Sequence, residues 1–159
     1  MAPLLIFAYG NPSRGDDALG PMLLEQLEAL NLPGVELLTD FQLQVEHAID
    51  LKGREQVLFV DASVSCLPPF TLSRLYPEKD RSFTSHAMSP AAVLQAYQEL
   101  YGEAPPTWLL AVHGESFELG DPLSAAAQNN LGQAFALVQT LCASHQAWDQ
   151  FIMPATQNT

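Results

Sequence analysis

Short unbroken apolar runs alternate along this chain with stretches in which apolar residues return every three or four positions. Leu4-Leu5-Ile6-Phe7-Ala8 lies in a run over residues 3–9 that predicts a buried strand. A helix is expected from Asp17 to Leu30, with Leu19, Met22, Leu23, Leu27 and Leu30 on its inner face. Pro21 is compatible with it because it falls in the first turn, and Asp16 or Asp17 can cap it. Val35–Thr39 predicts a second strand, and Asp40 can cap a helix over 42–51 that Gly53 closes. Val57-Leu58-Phe59-Val60 is apolar throughout, as in a central parallel strand covered on both faces, and it ends on Asp61.

The second half repeats the theme. Phe70–Tyr76 alternates in character, which suits a half-exposed edge strand. Ser89-Pro90 is a cap followed by proline at the first helical position, opening a helix with Val93, Leu94, Tyr97, Leu100 and Tyr101 on one stripe and Gly102 at its end. Trp108–Val112 predicts a further buried strand. Ser124 begins a long last helix with Leu131, Phe135, Val138 and Leu141 inward. From about His145 the pattern lapses. Strands alternating with helices predict an α/β fold, a mostly parallel sheet covered by helices on both faces. The expected layout is a single domain over 1–144 and a C-terminal tail over 145–159.

Composition narrows the function. The chain has 159 residues, 48% hydrophobic and 15% charged, with a formal net charge of -12. Six lysines and arginines cannot supply the clustered cations that nucleic acid or an anionic membrane surface requires, so neither is expected as a partner. The two cysteines, Cys66 and Cys142, have neither disulfide-framework nor metal-site spacing. Cys142 falls on an apolar helix face and Cys66 in a proline-rich loop. There is no secretory leader pattern and the uncharged stretch 122–148 is too polar to span a bilayer, so a cytoplasmic location is expected.

The most informative stretch is Gly10-Asn11-Pro12-Ser13-Arg14-Gly15-Asp16-Asp17-Ala18-Leu19-Gly20, at a strand-to-helix turn. In open α/β sheets, ligands bind at such turns. Here two adjacent carboxylates arm it. The same sheet edge receives Asp61, at the end of the central strand, and His86, just before a helix start. An acid closing a buried run is costly without a partner. Two carboxylates and an imidazole suit nickel, zinc, iron or manganese, and three ligands leave open positions. The same groups can instead serve as general acid and base. His113 also ends a strand at this edge and is a weaker candidate. His47, on the expected 42–51 helix, and His145, in the tail, read as structural. There is no Gly-x-Ser-x-Gly elbow, Walker lysine, three-glycine dinucleotide turn or His-Glu-x-x-His helix.

Gly10-Asn11-Pro12 through Asp16-Asp17-Ala18-Leu19-Gly20-Pro21 resembles the N-terminal motif of the [NiFe]-hydrogenase maturation endopeptidases, which runs Gly-x-Gly-Asn, a short gap, then two acids and a Gly. Val60-Asp61-Ala62 and Ser85-His86 match the family's second and third functional positions in order and rough spacing, and the likeness extends from about residue 4 to about residue 140. Ala8 stands in place of the first motif glycine, and Ala18 where a glycine often follows the acids. Gln42-Leu43-Gln44-Val45-Glu46 and Gly114-Glu115-Ser116-Phe117-Glu118-Leu119-Gly120 look like the branch serving cytoplasmic, NAD-linked hydrogenases.

The resemblance implies a twisted sheet of about five strands and a protease that makes one cut. It would remove a C-terminal extension from the nickel-loaded precursor of a hydrogenase large subunit. The family's nickel-contacting acid falls on Asp17, its second acid on Asp61 and its histidine on His86. A one-residue shift of register exchanges Asp16 for Asp17. The nickel belongs to the substrate, and no cofactor is implied in the resting enzyme. Two other classes use the same residues: a nickel-binding assembly chaperone that cuts nothing, and a small-molecule hydrolase that works through the two acids.

Overall fold

The computed structural model describes residues 1–79, 88–144 and 148–152. Five strands make one sheet: β1 (Leu4–Tyr9), β2 (Val35–Asp40), β3 (Gln56–Ser63), β4 (Phe70–Leu75) and β5 (Thr107–His113). Their spatial order is β2-β1-β3-β5-β4. All neighbours pair parallel except β4 with β5. The α/β architecture read from the residue pattern is the one observed, with the antiparallel strand at an edge as its alternating sequence implies.

Each face of the sheet has its own core, because strand side chains alternate. Ile6, Ala8, Leu58 and Val60 point to the face covered by α1 (Leu19–Glu28) and α3 (Ala125–Ala143). Leu5, Phe7, Val57 and Phe59 point to the face covered by α2 (Pro90–Tyr101) and a 3-10 helix over Val45–Leu51. The chain runs from β1 outward to β2, then returns past β1 to β3. The strand order therefore reverses between β1 and β3, and the crevice beyond their carboxyl ends is where this topology places a ligand.

Several elements differ from the sequence expectation. Helix 42–51 is instead a 3-10 helix over Val45–Leu51, since its buried residues, Ala48 and Leu51, lie three apart and suit a three-residue turn. Asp40 does not cap it, because it is the last residue of β2; Gln44 and His47 form its capping box. Asp61 does not end β3, which continues for two residues to Ser63 because it still pairs with β5 there. Met22, expected inward on α1, is 38% exposed because the buried stripe is centred on Leu19, Leu23, Leu24 and Leu27. Leu30 lies beyond the end of α1. Leu100 and Tyr101 are likewise exposed on the last turn of α2. Ser89 and Ser124 cap α2 and α3 as their sequence predicts, each accepting a hydrogen bond from the backbone N–H three residues on.

After α3 the described chain resumes as a short 3-10 turn, Trp148–Phe151. Trp148 is only 1% exposed and packs against Trp108 with ring centroids 4.8 Å apart and planes inclined at 58°. Its indole N–H donates to the Leu141 and Ser144 carbonyls at 3.0 and 2.9 Å, occupying acceptors that α3 leaves open at its end. The Trp108 indole in turn donates to Asp149 at 2.9 Å. Replacing Trp148 by alanine removes a fully enclosed ring and is expected to cost about 3–5 kcal/mol, read as a lower urea midpoint at unchanged slope.

Candidate active site at the sheet edge

The two adjacent acids of the first turn have separate tasks. Asp16 is 0% exposed. Its carboxylate accepts from the N–H of Glu115 at 2.7 Å and of Ser116 at 3.2 Å, and from the N–H and hydroxyl of Ser124, both at 2.7 Å. Its own N–H donates to the Ser116 carbonyl at 2.6 Å. Burial alone pushes this carboxyl upward. The Glu115, Ser124 and Ser116 donors outweigh that and hold it below its ordinary value. Asp16 is therefore a structural clasp between the first turn, loop 114–124 and the start of α3. Neither it nor Asp17 caps α1, whose first turn has no side-chain cap hydrogen bond.

Asp17 follows on a single turn of 3-10 helix, Gly15–Ala18, and points elsewhere. Its carboxylate accepts from the Asn11 N–H at 2.7 Å. It lines an open groove of about 460 Å³ together with Asn11, Arg14, Asp40, Gln42 and Gln44. The turn requires glycine twice. A Cβ on Gly10 would collide with the Asp17 carbonyl, and one on Gly15, at φ +54, with the Ser116 carbonyl. A second cavity of about 400 Å³ lies away from the acids, between the end of α1 and β2.

Asp61 comes from β3 and faces the same way as Phe59, by strand alternation. It sits in the field of Asp17, which raises it, while the nearby Ala62 N–H and Tyr9 phenol act to lower it. Burial is the dominant influence and, with those smaller effects, pushes its pKa from 3.8 to about 6. Tyr9, the last residue of β1, is itself raised by burial, then by Asp61 and Asp17. At the β1/β3 crevice Asp17 thus lies near enough for its charge to act on Asp61, and Tyr9 is acted on by both. Tyr9 was not among the candidates from sequence. The signal was present only in combination, because Ala8 pairs with Val60 and so sets Tyr9 level with Asp61.

The remaining candidates sort plainly. His86 lies outside the described residues, as does His145. His47 is structural: its Nδ1 accepts from the Gln44 N–H at 2.8 Å, leaving Nε2 to donate to Asp40 at 3.1 Å. His113 is tied through Nδ1 to the Cys66 carbonyl at 2.9 Å. Burial pushes the Cys66 thiol up and Asp61 adds to it, so a ready thiolate nucleophile is not formed there. Cys142 is pushed by burial to about 11. Among the described residues no group of three or more His, Cys, Asp or Glu forms a metal site. Asp17 and Asp61 supply two oxygen donors and leave any ion between them open to further ligands.

The solved structures this chain resembles carry the same architecture. The [NiFe] hydrogenase maturation protease HycI from Thermococcus kodakarensis KOD1 superposes with a TM-score of 0.69 at 21% identity, covering 90% of this chain and 94% of that one. The hydrogenase maturating endopeptidase HybD from E. coli gives 0.68 at 27% identity, covering 89% and 93%. An Escherichia coli endopeptidase solved in solution gives 0.69 at 24%, covering 89% and 93%. No protein-family model matches the chain, and no curated protein matches its sequence. The fold is that of the hydrogenase maturation endopeptidases, and by class the chain is a hydrolase.

Two stability experiments separate the acids. Asp16→Ala strands four donors and is expected to destabilise the fold by about 3 kcal/mol, measured by urea denaturation at pH 7. The Asp16 contribution is present above pH 3.8 and disappears as pH falls through its lowered folded value. Asp61 behaves in the opposite sense. Between pH 3.8 and about 6 the folded chain keeps a proton that the unfolded chain releases, so this group's penalty grows with pH and is complete above about 6. Asp61→Asn should therefore stabilise the fold by about 2–3 kcal/mol at pH 7.5 and by almost nothing at pH 4. Equal effects at both values would refute the burial argument.

Proposed function

We propose that this chain is the endopeptidase that removes the C-terminal extension from the nickel-loaded precursor of a [NiFe]-hydrogenase large subunit, on the branch serving cytoplasmic, NAD-linked hydrogenases. The observation that carries the reading is the convergence of Asp17 and Asp61 at the β1/β3 crevice, each electrostatically sensed by the other's neighbour Tyr9. The likeness to HybD and HycI supplies the class of reaction.

In this reading Asp17, Asp61 and His86 contact the nickel that the precursor brings. Carboxylate oxygen and imidazole nitrogen are both suitable donors to nickel. The metal is part of the substrate and acts as the signal that loading is complete. The enzyme's carboxylates anchor the ion beside the peptide to be cut, so that water, the scissile carbonyl and the metal come within reach of one another. A precursor without nickel has no anchor and is left uncut. The described chain resumes at Met88, two residues beyond His86, with its N–H on the Leu43 carbonyl at 3.1 Å. Leu43 lies between two residues of the Asp17 groove, Gln42 and Gln44.

The two sequence segments that resemble this branch both have structural positions beside the acids. Gln42 and Gln44 line the groove that Asp17 lines. Gly114 to Ser124 forms the cradle for Asp16, and a Cβ on Gly114 would approach the Asp16 Cβ to 2.8 Å.

Purified chain mixed with nickel-loaded precursor should yield two products whose masses sum to the precursor plus one water. Asp17→Asn, Asp61→Asn and His86→Ala should each slow this by about 100-fold or more while leaving the chain folded. Rapid cutting of nickel-free precursor overturns the metal's role. Tight association with no change in mass identifies an assembly chaperone instead.

A further inference from the structure

We propose that Arg14 is a substrate-binding residue: the free end of its guanidinium donates to a main-chain carbonyl oxygen of the precursor peptide, in the groove that Asp17 lines. The inference rests on the processing role proposed above and names what the groove takes of the precursor besides its metal.

Three observations carry it. First, the polar groups of the groove sort into engaged and free. Asp40 is engaged at both oxygens, by the Phe41 N–H at 2.7 Å and by His47 at 3.1 Å. Asp17 is engaged at one, by the Asn11 N–H at 2.7 Å, and keeps the other for a ligand. Arg14 is the sole cation among the described residues that line this groove. Second, the Arg14 guanidinium is unspent. Among the described residues it forms no ion pair, although Asp17 and Asp40 line the groove with it. Three other cations are committed: Arg54 to Glu36 at 2.6 Å, Arg74 over the Tyr76 and Trp108 rings, and Lys52 over the Tyr101 ring. Third, the guanidinium is held rather than loose. Its Nε donates to the Phe117 carbonyl at 3.2 Å, which leaves the two Nη groups as donors. The segment that bears Phe117 is itself fixed, by the Asp16 carboxylate on the Glu115 and Ser116 N–H groups and by the Gly120 N–H on the Ser13 carbonyl at 2.7 Å. An exposed arginine ordinarily has to be ordered when a ligand arrives, at a cost in affinity, and this one is ordered beforehand.

The company that Arg14 keeps selects its partner. A substrate carboxylate entering the groove would meet Asp17 and Asp40 as well as Arg14, and like charges oppose it. A main-chain carbonyl is uncharged, accepts through two lone pairs, and recurs at every residue of an extended peptide. It satisfies the Nη donors without that repulsion. Arg14 and Asp17 belong to one turn, the Asp17 N–H donating to the Arg14 carbonyl at 3.0 Å. A peptide gripped by Arg14 is therefore registered against the acid that faces its metal, which is how a positioning contact assists a cut.

Arg14→Ala removes the guanidinium. With nickel-loaded precursor, KM is expected to rise about tenfold or more with kcat within about twofold of the parent. Arg14→Gln, which retains most of the stem, repeats the test if the alanine variant fails to fold. The ratio of variant to parental KM should be alike at about 0.05 M and about 0.3 M salt, because the partner carries no charge. A ratio that collapses at the higher salt identifies a carboxylate as the partner and overturns the assignment to a carbonyl. A parental KM overturns the proposal outright. So does a fall in kcat at parental KM, which makes Arg14 a brace between the Asp17 turn and Phe117. If the parent chain leaves loaded precursor uncut, the processing role falls. Equilibrium binding of the same precursor, labelled and followed by fluorescence anisotropy, then decides on Arg14 alone: weaker binding to the variant upholds its contact, and equal affinities remove it.

Discussion

The site depends on a buried carboxylate that does no chemistry. Asp16 has no access to solvent and survives as an anion because four donors from a segment 100 residues away close around it. Hydrogen bonds to a charged group are among the strongest available to a protein, and an enclosed charge without them is prohibitive. The clasp therefore defines where loop 114–124 runs, where α3 begins, and how the Gly15–Ala18 turn is rotated. That rotation sends the next side chain, Asp17, into the groove. Two neighbouring acids thus divide the labour: one secures the turn and the other is offered to a ligand.

The second acid is governed by the sheet. Asp61 extends a run of fully buried residues, Val57 to Val60, by one more position on the same strand. The strand carries it to the crevice between β1 and β3, where the order of strands reverses. Partial burial raises its proton affinity, and the nearby Asp17 raises it further. Holding two carboxylates close in such a place weakens the fold. A cation placed between them would relieve both the desolvation and the mutual repulsion.

Much of this was readable from residues alone. Among the described residues, apolar runs and helical stripes located the five strands and three α-helices, because their burial patterns are strong and two of the helices have clear caps, Ser89-Pro90 and Ser124. Asp17 and Asp61 were placed at one edge by topology. What the pattern did not contain was the division between Asp16 and Asp17. That depends on donors at Glu115, Ser116 and Ser124, and long-range partners leave no local trace. The 3-10 form of Val45–Leu51 escaped for a different reason, since spacings of three and four look alike over so short a stretch. Tyr9 needed the pairing register of β1 with β3, which follows only once the sheet is built.

The indole pair described at the end of α3 has a practical bearing on how this molecule can be watched. Trp108 and Trp148 are its two tryptophans, and they lie in contact with each other. Trp108 pairs with Leu58, three positions before Asp61 on β3, and both indoles belong to the core on the opposite face from Phe59. The ultraviolet emission of the chain is therefore set by how its last turn seats on the sheet. It is a built-in gauge of whether the C-terminal segment is docked, and it gives an optical signal from the side of the sheet that the acids do not face.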